Sequence, residues 1–449
     1  MTRRTPPVLP GLPLLGNALE FQKDRLALFR RGYETLGPVF GLRIGTKPAA
    51  VLIGPEYHQI FFMETDKKLS MHKTYKFLQA IFGNIAFTAS PETYLEQRPI
   101  LHAPFKREKM INYIRIMQKE VQAWLDSLGD HGEVELTGEL NTLVQHVAAH
   151  ALMGEEFRQR MGREFWDLYL EIGKALDPIL PPNLPLPKFR RRDIAKQKMR
   201  EILRPIIAER RRNPEQYDDF MQDIINSRYK DGREVEDETI TGLILALMFA
   251  GHETTSGQAA WTIIQLLQNP GYLQQVVAEL DHKLPYATAI DGNRLNSLEH
   301  VEWAVRETER MHPSADLLIR MAEEDIEAGE YLIPAGWIVF VSAATAHRLP
   351  EWFRDPDRYD PLRFGPGRQE DRRHRFALIG FGGGVHKCTG MNFAYNEMMT
   401  INALLFQQFE LELVTQDPQI LYGVGATRPT STIIRYHRRL DRDPPLHSF

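Results

Sequence analysis

Hydrophobic and polar positions recur along this chain mostly at helical spacing, with a few short stretches that alternate as strands do. The longest helical candidate runs from Asp237 to Asn269, about 33 residues or roughly 50 Å at 1.5 Å per residue, and Pro270 closes it. Its Thr239–Gly251 half carries no charge, which predicts burial, yet the run is too short and too soon interrupted to span a bilayer. Between Thr389 and Phe409 the residues Met391, Phe393, Ala394, Met398, Ile401, Leu404, Leu405 and Phe406 predict a second helix. A third, around Val301–Met311 and stopped by Pro313, sets Glu307 and Arg310 three apart on one face, where they can pair. Pro38–Ile53 reads as two short strands around a Gly-Thr-Lys-Pro turn. Glu330–Ser342 reads as another strand pair, turned at Pro334-Ala335-Gly336 and part of a second small sheet, and Gly425–Tyr436 as a last hairpin region. The fold class expected is mainly α with small β-sheets.

Composition changes this picture little. A length of 449 residues allows two or three domains, but no linker offers a place to cut, so one domain over 1–449 is expected. The hydrophobic share of 43% and charged share of 25% are ordinary for a globular protein. A net charge of −4 excludes a globally basic nucleic-acid binder. The single cysteine forbids an internal disulfide, which fits a reducing cytoplasm. The chain opens on a proline-rich segment, 1–17, with no signal-peptide core, and no stretch is apolar for a membrane-spanning length, so it reads as soluble. The oddest composition lies at 188–212, with eleven Lys or Arg against three acids, behind the proline-rich loop 178–187. It reads as a solvated helix face, or as a basic helix and apolar loop resting on an anionic membrane surface.

Candidate chemistry centres on Phe381–Gly390, which holds the one cysteine, Cys388. A lone cysteine can be a small buried hydrophobe, or a thiolate of the soft kind that suits haem iron. The positive end of the helix that follows would lower its pKa. Gly382, Gly383 and Gly384 would let the backbone turn sharply and lie close to a flat partner. Zinc is excluded by the shortage of Cys and His ligands, and the dinucleotide and phosphate-loop fingerprints are absent. Gly251-His252-Glu253-Thr254-Thr255 puts a carboxylate and two hydroxyls into the buried half-helix, where they are costly unless partnered. Tyr75, Phe77, Phe82 and Phe87, in the aromatic stretch 75–92, read as core.

These residues carry a resemblance. Phe381-x-x-Gly384-x-His386-x-Cys388-x-Gly390 resembles the haem-binding loop of the cytochrome P-450 family, the haem-thiolate monooxygenases, and Ala250-Gly251-x-Glu253-Thr254 resembles that family's distal-helix motif. Glu307-x-x-Arg310 with the later Arg363, Tyr94-x-x-x-Arg98 with tyrosine in place of the usual tryptophan, Arg320, and the Pro6–Gly16 hinge are similar in kind and order, so the resemblance covers nearly the whole chain. It implies haem b held between the distal helix and the cysteine loop, with Cys388 as axial iron ligand and Phe381 beside the sulfur. His386, Arg98 and Arg320 would face the propionates. Gly382, Gly384 and Gly390 would shape the loop, and the Glu307, Arg310 and Arg363 charge network would support it from behind. The distal helix would open beside the iron, and Glu253 and Thr254 would relay protons to oxygen. Tyr75, Phe82, Ala250 and Thr430 would line the substrate pocket, and the 178–212 region would cap its entrance.

The activity implied is insertion of one atom of O₂ into a hydrophobic substrate of sterol or steroid, terpenoid or fatty-acid type. Without flavin or iron–sulfur motifs, electrons would come from a ferredoxin or flavodoxin with its reductase, docking near Lys387 and Arg372–Arg375. The absence of a membrane anchor implies a soluble, cytoplasmic, bacterial-type enzyme. Within the family the likeness is strongest to sterol 14α-demethylases, through Tyr75, Phe82-Gly83, Ala89-Ser90-Pro91-Glu92, Met248–His252, Ser256-Gly257, Trp261-Thr262 and Arg435-Tyr436. Those enzymes typically carry histidine at Glu253 and an acid at Thr88, so demethylation proper stands as one reading. A peroxygenase, a haem-thiolate isomerase, and a haem gas sensor without turnover are the others.

Overall fold

The computed structural model describes residues 3–160, 162–177, 180–286, 288–423 and 425–439; of Phe87, Arg160 and Gly162 it describes only the backbone. The expected long helix is present as Asp237–Gln268, with Asp237 and Glu238 in its first turn complementing the helix dipole. Most of its side chains between Ile240 and Leu266 are buried. Helices Leu136–Met153, Glu299–Met311 and Met391–Gln408 pack against it. Two glycines admit close neighbours. A Cβ on Gly242 would sit 2.3 Å from the Phe82 carbonyl oxygen, and one on Gly257 would sit 3.0 Å from that of Thr427. The central helix is thus approached on its two flanks by the segments expected to lie near substrate.

The largest sheet has the order β1 (Val39–Ile44), β2 (Lys47–Leu52), β8 (Ile338–Ser342), β5 (Leu317–Ala322), β3 (Leu69–Ser70). β1 and β2 form the expected antiparallel hairpin, turning at Gly45 with φ of 62°. The expectation for 330–342 is corrected. β7 (Tyr331–Ile333) pairs with β6 (Ile326–Ala328), whereas β8 lies between β2 and β5 in the larger sheet. β8 is buried over Val339–Ser342, and such a strand is satisfied only by neighbours on both edges. The Gly336 turn aims it there, since the Gly336 amide donates to Ala322 at the end of β5 over 2.8 Å.

The tail is corrected in the same way. β11 (Thr427–Pro429) pairs with β10 (Ile420–Tyr422), and β12 (Ile433–Arg438) runs between β4 (His131–Glu135) and β9 (Phe409–Leu413). Thr427 is anchored elsewhere, its hydroxyl donating to the Pro313 carbonyl and its amide to that of Ser314, and β11 and β12 do not pair with each other.

The basic stretch forms helix Pro187–Arg212, with Phe189, Ala195, Met199, Leu203 and Ile207 buried on one face. Much of its charge is paired within the fold: Lys188 with Asp177 at 2.6 Å, Arg191 with Glu171 at 2.7 Å, Arg210 with Asp219 at 2.6 Å, and Arg211 with Asp237 at 2.9 Å. Pro178 and Ile179 of the preceding loop lie outside the described residues. Among the described residues, no helix is long and apolar enough to cross a membrane.

Candidate functional site

The cysteine loop is built by backbone freedom and close packing. Gly382 and Gly384 adopt φ of 69° and 67°, and the Cys388 amide donates to the Phe381 carbonyl over 3.0 Å. What these glycines approach is protein. A Cβ on Gly383 would fall 2.9 Å from the Phe62 ring, and one on Gly384 would fall 2.9 Å from the Phe62 carbonyl oxygen. Beside the expected flat partner, protein too excludes side chains at Gly383 and Gly384, because the loop is pressed onto helix Pro55–Glu64. Gly390 caps helix Met391–Gln408. Cys388 is open to solvent on one side and crowded by protein on the others, and burial pushes its thiol above the ordinary value against the pull of Lys387. The lowering expected from the helix is therefore outweighed by desolvation, so the thiolate needs a metal or another cation to form at neutral pH.

Behind the loop, Glu307, Arg310 and Arg363 meet at 0% exposure. The Glu307 carboxylate accepts from Arg310 Nε at 2.8 Å and Nη2 at 2.9 Å, and from Arg363 Nε at 2.9 Å. Two arginines and one acid leave a charge over, and Glu370, buried, balances it by accepting from Arg363 Nη1 at 2.7 Å. That charge count was a signal for a second acid that the motif alone did not name. His347 joins the network to the loop. Arg310 Nη1 donates to its carbonyl over 2.8 Å, and its Nε2 accepts from the Ile379 amide at 2.9 Å. Burial holds His347 well below the usual imidazole pKa, so the ring is a neutral acceptor.

A second cluster gathers around Asp66. His386 Nε2 lies 2.6 Å from Asp66 Oδ2, and its ring stacks 4.2 Å from Tyr94, whose hydroxyl donates to Val385 over 3.0 Å. Arg98, one helical turn beyond Tyr94, has a buried Nε with no hydrogen-bond partner. Arg320 is buried at 4% exposure, donating to Thr65 Oγ1 at 3.3 Å and Ile319 O at 2.7 Å and lying 5.0 Å over Phe61, with Tyr75 in hydrogen-bonding reach. No carboxylate among the described residues comes within 4 Å of it, and burial lowers its pKa. Asp66 is taken by His386, while the Arg98 and Arg320 guanidiniums have no ion pair among the described residues, and an orphaned buried Nε requires an acceptor. The two propionates of haem b fit that requirement. Tyr75, expected in the substrate pocket, stands beside Arg320 in this cluster.

On the central helix Ala250 and Gly251 are exposed within an otherwise buried element, and a Cβ on Gly251 would meet nothing within 4 Å. Glu253 and Thr254 are half-buried, not fully buried as expected. The helix is continuous through them, which corrects the expectation that it opens. Its strand of carbonyls stays satisfied because Thr254 Oγ1 donates to Ala250 O at 2.5 Å, while Ser314 Oγ donates to Thr254 O at 2.9 Å. The Glu253 carboxylate makes no hydrogen bond or ion pair among the described residues. His252 points away and is buried: Gln145 lies 3.1 Å from its Nε2, Trp166 packs edge-on at 4.9 Å, and burial brings its pKa down to about 4.

Phe82 packs 5.3 Å from Phe249, and the two line a small apolar cavity with Ile81, Tyr169, Ile172 and Leu245. Thr430 does not join them. Its hydroxyl accepts from the Gln419 amide at 3.1 Å beside the β10–β11 hairpin, whose closest approach to the central helix is Thr427 and Arg428 against Gly257, with the Cβ position of Gly425 3.6 Å from Phe249 and that of Gly423 3.9 Å from Glu253 Oε2. Thr88, fully buried, ties its own loop through its hydroxyl to the Gly83 and Ile85 carbonyls, each at 2.7 Å.

The Cytochrome P450 family model matches residues 6–434. The chain is similar to a sterol 14-demethylase of Arabidopsis thaliana, 34% identical over 97% of this chain and 92% of that protein. It is also similar to a sterol 14alpha-demethylase of Mycolicibacterium vanbaalenii, 31% identical over 98% and 99%, and to the human lanosterol 14-alpha demethylase, 30% identical over 97% and 87%. Among solved structures, retinoic acid bound cyanobacterial CYP120A1 superposes with a TM-score of 0.86 at 25% identity, covering 98% of this chain and 100% of that one.

Proposed function

The chain belongs to the cytochrome P450 family, and from that premise we propose that it is a single-domain haem-thiolate monooxygenase in which Cys388 is the axial ligand and a sterol-like molecule is the substrate. The observation that carries the assignment is the pairing of the lone cysteine, on a loop braced by a fully buried Glu–Arg–Arg network, with the Arg98 and Arg320 guanidiniums, which have no ion pair among the described residues. Bound there, haem b supplies the redox centre at which O₂ is reduced and one of its atoms is passed to substrate.

The chain's own residues do the rest. Arg98 and Arg320 would hold the propionates and be neutralised by them, while His386 is kept in place by Asp66. Glu253, free to move, takes protons from solvent, and Thr254 holds one at its hydroxyl beside Ala250. Phe82, Phe249 and Tyr169, around a small apolar cavity, would supply an apolar wall for the substrate. The relatives named as sterol and lanosterol demethylases make the sterol class the first choice, ahead of terpenoids and fatty acids. Glu253 and the buried Thr88 depart from the pattern typical of those enzymes, so the reading stops at oxidation and does not extend to 14α-demethylation. Electrons arrive from a separate acidic ferredoxin or flavodoxin at the face around Lys387.

The test is direct. Cys388→Ser leaves a hydroxyl that binds iron far more weakly, so the reduced carbon-monoxide complex should lose the red-shifted Soret band of a thiolate haem and turnover should vanish. Survival of that band in the mutant sinks the assignment. Sterols, steroids, terpenes and fatty acids added to the wild-type ferric protein should give the largest spectral shift with the sterols.

A further inference from the structure

A second carboxyl stands behind the cysteine loop, two residues along the helix from Glu307, and the network described above does not use it. Glu309 is buried, and it accepts a hydrogen bond from the Tyr395 hydroxyl of helix Met391–Gln408 and another from the Gly380 amide. The contact at Gly380 is close enough that a Cβ there would fall 2.5 Å from Glu309 Cγ. Gly380 precedes Phe381, whose carbonyl accepts the Cys388 amide at 3.0 Å and whose ring packs 5.1 Å from Tyr395. A short covalent and hydrogen-bonded path therefore runs from the Glu309 carboxyl to the cysteine, and the carboxylate's charge is felt at the sulfur, where it disfavours more negative charge.

Glu309 also borders a depression of about 860 Å³ on the outer side of the loop, lined by Phe381, Gly382, Lys387 and Tyr395, which gives protons a way in. Of the charged groups nearby, Arg306 lies on the same helix but pairs with Asp371 at 2.6 Å, so the guanidinium is shared. Glu302 on that helix, Arg107, Arg375 and Lys387 complete the lining.

We propose that Glu309 is the proton acceptor coupled to reduction of the haem, so that one electron reaches the iron from the external donor as one proton reaches this carboxyl from solvent. The inference rests on Cys388 being the haem ligand. Its logic is charge balance: reduction adds a negative charge in front of the loop, and protonation removes one from behind it, in a medium where each is felt strongly. Burial raises the Glu309 pKa to about 7, so the group is part-ionised at neutral pH and can exchange its proton there. The sign follows. Ionised Glu309 favours the oxidised iron, so the midpoint potential should fall as pH rises through about 7. Tyr395 is a positioning residue, holding the carboxyl by its hydroxyl.

The experiment is a potentiometric titration of the haem-loaded protein between pH 6 and 8, following the absorption spectrum, for wild type, Glu309→Gln and Tyr395→Phe. The wild-type potential should fall with pH. Glu309→Gln, which keeps the size and one acceptor oxygen but cannot ionise, should be flat and sit near the wild type's acid limit. Tyr395→Phe should keep the slope with its midpoint moved to higher pH, because the ionised carboxyl loses a donor. A flat wild-type curve, or a slope that persists in Glu309→Gln, overturns the proposal while leaving the thiolate spectrum and the haem assignment intact. Loss of the thiolate spectrum in wild type would instead remove the premise.

Discussion

At the scale of single residues, the pair that decides between a monooxygenase and a haem that only binds gas is Glu253 and Thr254. Thr254 spends its hydroxyl proton on Ala250, and the Glu253 carboxylate is bound to nothing among the described residues, so the first can hold a proton and the second can carry one. Neither bridges to another helix as a structural hydrogen bond would. Thr254→Ala should leave haem content and substrate binding nearly unchanged while product per electron falls and released peroxide rises. General acid–base groups are typically worth about 10²–10⁴ in rate, and water can stand in for a hydroxyl, so a loss of about 10² is expected. Glu253→Gln keeps the volume and removes the charge, which should slow the proton-dependent step more than it alters binding. The measurement is product against reduced cofactor consumed, with peroxide counted separately. Unchanged coupling in both variants would make Glu253 and Thr254 structural hydrogen-bonding residues and remove them as an argument against a sensor or a peroxygenase.

At the scale of elements, the bracing of the loop has an internal order of importance. Arg363 has two acids, Glu307 and Glu370, while Arg310 has only Glu307 and two carbonyls. Glu307→Ala strands Arg310 outright and should cost about 3–5 kcal/mol, a large part of a domain's margin, so poor haem incorporation or insoluble protein is expected. Glu370→Ala leaves Arg363 paired with Glu307 and should cost less. Equal haem content in the two variants, or a fully loaded Glu307→Ala protein, contradicts this order. The same elements show what the sequence made legible. Helices Asp237–Gln268, Glu299–Met311 and Met391–Gln408 were readable because their period and their stops are local. Strand partners were not, because β7 and β8, or β11 and β12, are adjacent in the chain but choose neighbours by burial and by anchors as distant as Ala322 and Pro313. The Glu307–Arg310 pair was legible by spacing, and Arg363's place beside it through the family resemblance. Asp66, Glu370, His347 and Glu309 were not, since each is defined by the charge or amide it meets across the fold.

At the scale of the whole molecule, two sets of buried groups pull stability in opposite directions with pH. Burial lowers the pKa of His58 and His252 to about 4, of His312 to about 3, and of His347 well below its usual 6.5. Below about pH 6.5 the unfolded chain binds protons these rings refuse, so their contribution is lost as pH falls. Burial raises Glu309 to about 7 and Glu397 to about 8, so above about pH 4.5 the native state holds protons the unfolded chain releases, and this contribution is lost as pH rises. Four imidazoles outweigh two carboxyls up to about pH 6.5, and beyond it the carboxyls dominate until, near pH 8, Lys196, which burial lowers to about 8, begins to oppose them. The urea midpoint of the haem-loaded protein should therefore be higher near pH 6.5 than near 5 or 8, and Glu397→Gln should flatten the alkaline side; a midpoint still climbing at pH 8 contradicts the balance. Charge also shapes the surface. The chain carries a net −4, yet exposed Lys387 and Arg375 line one depression beside the cysteine loop, with exposed Arg372 and Arg373 next to Arg375 in the chain, and the proposed acidic donor would be drawn to this face. Such pairing acts mainly on encounter, and ions screen it within about 10 Å at 0.1 M salt. The rate of haem reduction by an acidic ferredoxin should fall as salt rises. Lys387→Glu should lower it by up to about tenfold at low salt and remove most of its salt dependence. The thiolate spectrum should be untouched, because Lys387 is exposed and its side chain braces nothing in the loop. A reduction rate indifferent to salt and to Lys387→Glu would move the donor to another face of the molecule.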